Sequence, residues 1–135
     1  MYTPATITLD GTAAFAHDGW QPVLEDTMGE LGIRLVLNRI GPAAAETAAD
    51  GWDGDRLRAF RRGEAIASVW LTAWDSDGDA AEFADRVQQA FPVALVERRD
   101  RRVLVLNLGD APALDGTRLA TDVWRRSRID ESDPR

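Results

Sequence analysis

The sequence predicts an α+β domain: a four-stranded, mostly antiparallel sheet made of two hairpins, with about four helices in the order ααββαββα. Three observations carry this. Two pairs of apolar-rich runs flank the turn dipeptides Arg62-Gly63 and Asp100-Arg101. Between the pairs lies "SDGDAAEFADRVQQAF", in which Ala80, Phe83, Ala84, Val87, Ala90 and Phe91 fall on one helical face. At 135 residues the chain is long enough to bury one core without staples, so residues 1–135 read as a single domain.

The elements follow in order. Residues 1–21 read as a lead-in loop: "TPATITL" is extended, and "DGTAAFAHDGWQP" is punctuated by glycine and proline. From Val23 to Ile40 the pattern turns helical, with Leu24, Met28, Leu31 and Leu35 on one stripe and Ile33, Val36, Leu37 and Ile40 on another. A helix apolar on most sides is expected to be buried. Gly29 and Gly32 inside it predict a close approach by another element. Gly41-Pro42 ends that helix, and "PAAAETAAD" starts a second with proline at its first position and Gly51 as its C-terminal cap. "DRLRAFRR" and "EAIASVWLTAW" form the first hairpin. Ser76, with Asp79 three residues on, resembles a capping box for the next helix. "VALVERR" and "RVLVLNLG" form the second hairpin, and "DGTRLATDVWRR" closes the domain with Leu119, Val123 and Trp124 inward. Residues 128–135 read as a flexible tail. Helix–hairpin occurs twice, which raises the prospect of a structural duplication.

The helices are expected on one face of this sheet. On its strands Ala67, Val69, Leu71 and Ala73 alternate with Ser68, Trp70, Thr72 and Trp74, and Leu104, Leu106 and Leu108 alternate with Val103, Val105 and Asn107. Both faces are apolar, whereas a solvated face reads polar. The second face therefore needs a cover: the glycine-bearing helix, another subunit, or a domain outside this chain. Trp70, Trp74, Val103 and Val105 are the residues expected at that interface.

Composition narrows the chemistry. The net charge of −7 disfavours nucleic acid and anionic membrane as partners. All 16 basic residues are arginine, and cysteine is absent, so neither a thiolate nucleophile nor a cysteine metal site is available. The N-terminus lacks the pattern of a signal peptide, and no stretch approaches the length of a membrane span. His17 is the single histidine and makes a poor transition-metal site alone. Nucleophile elbow and phosphate loop are missing. The chain reads as a non-enzyme without cofactor, with a carboxylate pair the one catalytic chemistry left open.

Two acidic stretches stand out, "GWDGDR" at 51–56 and "WDSDGD" at 74–79. Asp75, Asp77 and Asp79 have the i, i+2, i+4 spacing that opens a calcium loop. Glycine then falls at position 4 where an EF-hand needs it at 6, and Arg86 stands where the bidentate glutamate belongs. Helix capping is the favoured reading, and a small-ligand or calcium site at loops 50–55 and 75–79 is the alternative. In the other stretch Gly51 and Gly54 permit tight turns, Trp52 plugs the core, and Asp55 pairs with Arg56 or caps a backbone amide. Gly51, Trp52, Asp53, Gly54, Asp55 and Arg56 together form the expected structural motif. The "ERRDRR" cluster reads as a solvated hairpin tip whose charges discourage edge pairing.

"EDTMGELGIRLVL", "AADGWDGDR" and "VWLTAWDSDGDAAEFADRV" together resemble, over about residues 20 to 92, the C-terminal portion of secreted zinc-metallopeptidase-like proteins of bacteria and archaea. Asp26 to Gly32, Ala48 to Arg56 and Trp74 to Phe83 carry the likeness, in the same order. Members with the peptidase signature carry an H-E-x-x-H helix upstream, in which two histidines bind zinc and the glutamate activates water. No position here matches it, so no catalytic residue carries over. The resemblance implies a non-catalytic, extracytoplasmic module that packs against a peptidase-like domain. The expected function is that of a structural or interaction module, joined to such a domain or to a second copy of itself.

Overall fold

The computed structural model describes residues 4–37, 50–109 and 114–130. Its elements run β1 (Thr6–Thr8), α1 (Ala13–His17), β2 (Gln21–Asp26), α2 (Gly29–Leu37), β3 (Trp52–Arg62), β4 (Ala65–Trp74), α3 (Asp77–Ala90), β5 (Leu95–Arg99), β6 (Arg102–Asn107), α4 (Gly116–Arg126) and β7 (Arg128–Asp130). The class is α+β, as expected. The sheet has five strands where four were expected, in the order β2-β3-β4-β6-β5, and all its neighbours are antiparallel. β1 and β7 make a separate two-stranded ribbon.

Both hairpins turn where the dipeptides place them, at Gly63 and at Asp100, whose φ is +54°. Aspartate tolerates that left-handed conformation better than most residues. Ser76 caps α3, its hydroxyl accepting the Asp79 N–H at 3.1 Å and donating to the Asp79 carboxylate at 2.9 Å. Asp115 caps α4 in the same way through the Arg118 N–H.

The largest departures lie in the first third of the chain. Residues 1–21 are not a plain loop, because they contribute β1 and α1. The helix expected from Val23 is a strand as far as Asp26, and α2 begins only at Gly29. Pro22 suits an edge strand, since it has no N–H to offer a further neighbour. Glu25 lies opposite Arg58 on β3 and binds it, which holds the segment extended. Gly29 opens α2 with φ +72°, a conformation that accounts for this glycine better than any close approach. The two stripes also divide: Ile33 and Leu37 are fully buried, whereas Leu31 and Leu35 are 67% and 65% exposed. The helix expected over residues 42–50 lies outside the described residues. At the other end, residues 128–130 are β7, and Ser127 fastens the ribbon by bonding both the N–H and the C=O of Asp10.

The sheet is covered on both faces, by different elements. Phe60, Ala67, Val69, Leu71, Leu104 and Leu106 meet Phe15 of α1, Leu119 and Val123 of α4, and Ile7 of β1. Phe15 stacks on Phe60 with ring centroids 4.0 Å apart. On the opposite face Trp70, Trp74, Val103 and Val105 lie under Ile33 and Leu37 of α2 and Phe83 and Val87 of α3. Burying an aromatic such as Phe83 completely stabilises the fold by about 1.5–3 kcal/mol. The expectation of helices on one face is thereby corrected. So is the expectation of an interface at Trp70, Trp74, Val103 and Val105: all four are at most 5% exposed beneath the chain's own helices. Of the three covers considered, the glycine-bearing helix is the one observed, with α3 beside it. The described helices that precede the two hairpins, α2 and α3, lie on the same face of the sheet, whereas α4, which follows the second hairpin, lies on the other.

Candidate functional site

The tightest cluster of polar groups forms around Asp55, and a backbone irregularity creates it. Residues three apart on a regular strand point to opposite faces. Trp52 and Asp55 nevertheless share a face, because β3 carries one extra residue there. Trp52 pairs with Trp74, but Gly54 already pairs with Ala73, so Asp53 is bulged. The bulge turns the Trp52 indole onto Asp55, and its Nε1 donates to Oδ1 at 3.0 Å. Oδ1 also accepts the Gly29 N–H at 2.8 Å. Oδ2 accepts the Met28 N–H at 2.8 Å and Nε1 of Trp70 at 2.9 Å.

A carboxylate offers about four acceptor positions, and here four donors fill them. Met28 and Gly29 stand at the start of α2, where helical N–H groups have no partner within the helix. Asp55 thus caps α2 from a neighbouring strand and sets a negative charge at the positive end of its dipole. It is 3% exposed. Of the two roles expected for Asp55, the amide cap is the observed one. Arg56 cannot pair with it, because adjacent strand residues point to opposite faces. Its Nε donates to Glu25 at 3.0 Å, and Arg58 donates to the other oxygen of Glu25 at 2.7 Å. The hydrogen bond from Arg58, with that from Arg56 beside it, holds the Glu25 carboxyl below its ordinary range, although burial pulls the other way.

The two acidic stretches meet at one corner of the sheet. The Asp75 N–H donates to the Gly51 carbonyl at 2.9 Å. The Asp79 side chain lies so close over Gly51 that a Cβ there would sit 2.3 Å from its Cγ. Gly54 is pressed in the same way by the Ala5 carbonyl, where the chain entering β1 bonds through the Ala5 N–H to the Asp53 carbonyl. Asp53 itself is buried. Asp75 precedes the cap, while Asp77 and Asp79 belong to the first turn of α3. An EF-hand loop stays non-helical over most of its twelve residues. This one is helical from its third, and of the three aspartates Asp79 takes part in the cap through Ser76.

Among the described residues, three clefts can be traced beside these elements. One of about 330 Å³ runs past Trp52, Asp55 and Arg56 beneath the entering chain. Another, of about 440 Å³, lies between α1 and α4 beside His17 and Arg118. His17 ends α1 and is exposed. The third, of about 130 Å³, opens between α2 and the end of α3, over Trp70 and Val105. At the hairpin tip the arginine cluster is partly engaged. The guanidinium of Arg99 lies 4.8 Å from the centre of the Trp124 ring, and Glu97 accepts from the Trp124 indole.

Sequence reasoning placed Trp52 and Asp55 together but missed Trp70, Met28 and Gly29 as their partners. The legible signal was a pair of indoles with a single carboxylate for them to share. The bulge that aligns them depends on strand register, which a linear pattern does not contain.

No curated protein and no solved structure matches the chain. A family model does match it over residues 17–122, from the end of α1 into α4, a span that takes in the whole five-stranded sheet and every partner of Asp55. The chain therefore belongs to the family described as a domain of unknown function, DUF8575.

Proposed function

We propose that this domain is a non-catalytic interaction module that pairs with a second copy of itself through the outer face of α2. The observation that carries this is the exposure of Leu31 and Leu35, one helical turn apart, at 67% and 65%. Val23 and Leu24 of the preceding strand are 53% and 48% exposed, and Met28 between them and the helix is 37% exposed. Together these side chains offer on the order of 400 Å² of apolar surface, the size at which a monomer's surface marks a contact site.

A second copy suits this surface by charge. Glu30 and Arg34 flank the two leucines and face each other along the helix at 4.0 Å. In an antiparallel pair of α2 helices, setting Leu31 over Leu35 of the other copy brings Glu30 alongside Arg34 of that copy. The contact is between helices and not a continued sheet, because β2 carries Pro22, a register shift beside it, and the charges of Glu25 and Asp26, all features that discourage edge pairing. The non-catalytic part of the reading rests on Asp55: this buried carboxylate spends its four acceptor positions on the helix amides and the two indoles.

Two copies would bury an area near the lower limit of specific interfaces, about 1,200 Å² in total once a polar rim is included. A weak dimer is therefore expected, strengthened by salt as screening reduces repulsion between two chains of net charge −7. Light scattering should show the mass rising from 14.8 kDa towards twice that value with protein concentration. The double variant Leu31→Glu, Leu35→Glu should stay monomeric and melt like the parent. A parent that stays monomeric throughout would overturn self-association and leave the face to a peptidase-like domain, the partner the resemblance implies. A dimer indifferent to both substitutions would overturn the choice of surface.

A further inference from the structure

On the α2–α3 face of the sheet one cross-strand pair breaks the apolar pattern. Ser68 of β4 sits directly opposite Asn107 of β6, beside the pair Trp70 and Val105. These four residues floor the cavity of about 130 Å³, with Met28 and Val36 on its α2 side and Phe91 at the end of α3. Among the described residues neither the Ser68 hydroxyl nor the Asn107 carboxamide has a hydrogen-bond partner. No buried polar side-chain atom among them is left unsatisfied, so both groups keep accessible surface, and both residues line the cavity. Polar groups converging in an apolar pocket are the usual signature of a small-molecule site.

We infer that this cavity binds a small neutral amphiphile, an apolar body about the size of one aromatic ring that bears a single hydroxyl or amide. The size follows from the volume, since an apolar cavity of about 150 Å³ accommodates benzene. Neutrality follows from the lining: every described residue around the cavity is uncharged, and an ion placed there would be desolvated without a partner. The polar head follows from Ser68 and Asn107, which between them offer hydroxyl and amide donors and acceptors on one side of the space. The body lies against Trp70, Val105 and Phe91. Trp70 contributes its ring alone, because its N–H is held by Asp55. The cavity shares Met28 with the surface proposed for self-association, but Leu31 and Leu35 are not among its walls.

Benzyl alcohol is the probe and toluene its control, followed by NMR through the Trp70 indole N–H and the Asn107 side-chain amide. Saturable shifts at both signals are expected with benzyl alcohol, and toluene should bind at least five-fold more weakly. Asn107→Leu should weaken benzyl alcohol about ten-fold and narrow its preference over toluene. Ser68→Leu, which fills part of the cavity from its floor, should abolish the shifts with the melting temperature retained. Should Asn107→Leu fail to fold, Ser68→Leu and the toluene comparison decide the matter. Linear, unsaturable shifts spread over Trp20 as well as Trp70 would overturn the site. Equal binding of toluene and benzyl alcohol would overturn the role of the polar pair and with it the ligand class.

Discussion

Asp55 and Arg58 lie three residues apart on β3, face opposite sides of the sheet, and fasten different early segments of the chain. Asp55 accepts only from neutral donors, two backbone amides and two indoles, and is nearly sealed from water. Arg58 donates to the Glu25 carboxylate, the Thr12 hydroxyl at 2.7 Å and the Leu9 carbonyl at 3.0 Å, with its side chain 22% exposed. The first is a buried charge solvated by the protein itself. The second is a half-wet ion pair that also satisfies backbone. A low-dielectric setting makes each hydrogen bond to Asp55 stronger, and the loss of any of them costlier, than at Arg58. One strand thus positions α2 on one face and the turn before α1 on the other, by interactions of unequal strength.

The sharpest way to break this comparison is Asp55→Ala. Removing the carboxylate leaves two indole and two amide donors unsatisfied in a closed space, and a loss of about 3–5 kcal/mol is expected in urea unfolding. The amides of residues 29–37 should become exchangeable before those of β4 and β6. If the loss is under about 1 kcal/mol, or α2 exchanges in step with the sheet, the carboxylate does not hold the helix.

Arg58→Met should cost less, about 1–2 kcal/mol, because water reaches this site and replaces part of what is lost. The damage should fall on the other face, releasing residues 9–12 and leaving α2 intact by hydrogen exchange. Equal losses for both variants would erase the distinction between the dry site and the wet one.

The smallest effect belongs to Glu25. Its carboxyl ionises at lower pH in the folded chain than in the unfolded one, held down first by Arg58 and then by Arg56. The unfolded state therefore takes up its proton first as pH falls. The stabilisation is complete above the ordinary glutamate value and is lost as pH drops through the lowered folded value. Glu25→Gln should change stability by less than about 1 kcal/mol at neutral pH and should flatten part of the loss that sets in as pH falls below the ordinary glutamate range. An acid melt identical in slope to that of the parent would show that the bridge makes no net contribution.

Much of this molecule was legible before folding. The alternation in β4 and β6, the two turn dipeptides, the capping box at Ser76 and Asp79, and the apolar stripes of α3 and α4 are local patterns with local causes. The reading went astray from Val23 to Met28, where apolar spacing mimicked a helix. Leu24 is on a strand, and Leu31 and Leu35 point away from the core, so periodicity counted side chains that never share an environment. β1 and β7 are three residues each and pair across nearly the whole chain, which leaves no local trace.

By itself the sequence determined the class, the hairpins, the two later helices and the need to cover both faces of the sheet. It also determined that Trp52 and Asp55 belong to one motif. Tertiary structure decided the fifth strand, the choice of α2 and α3 as cover for Trp70 and Trp74, and the use of Asp55 as the cap of a distant helix. The physical reason is that caps, turns and amphipathic stripes are settled within a few residues. The bulge at Asp53 and the meeting of Asp55 with Met28 depend on pairings 19 to 27 residues apart, where many partners compete and only the assembled core selects one.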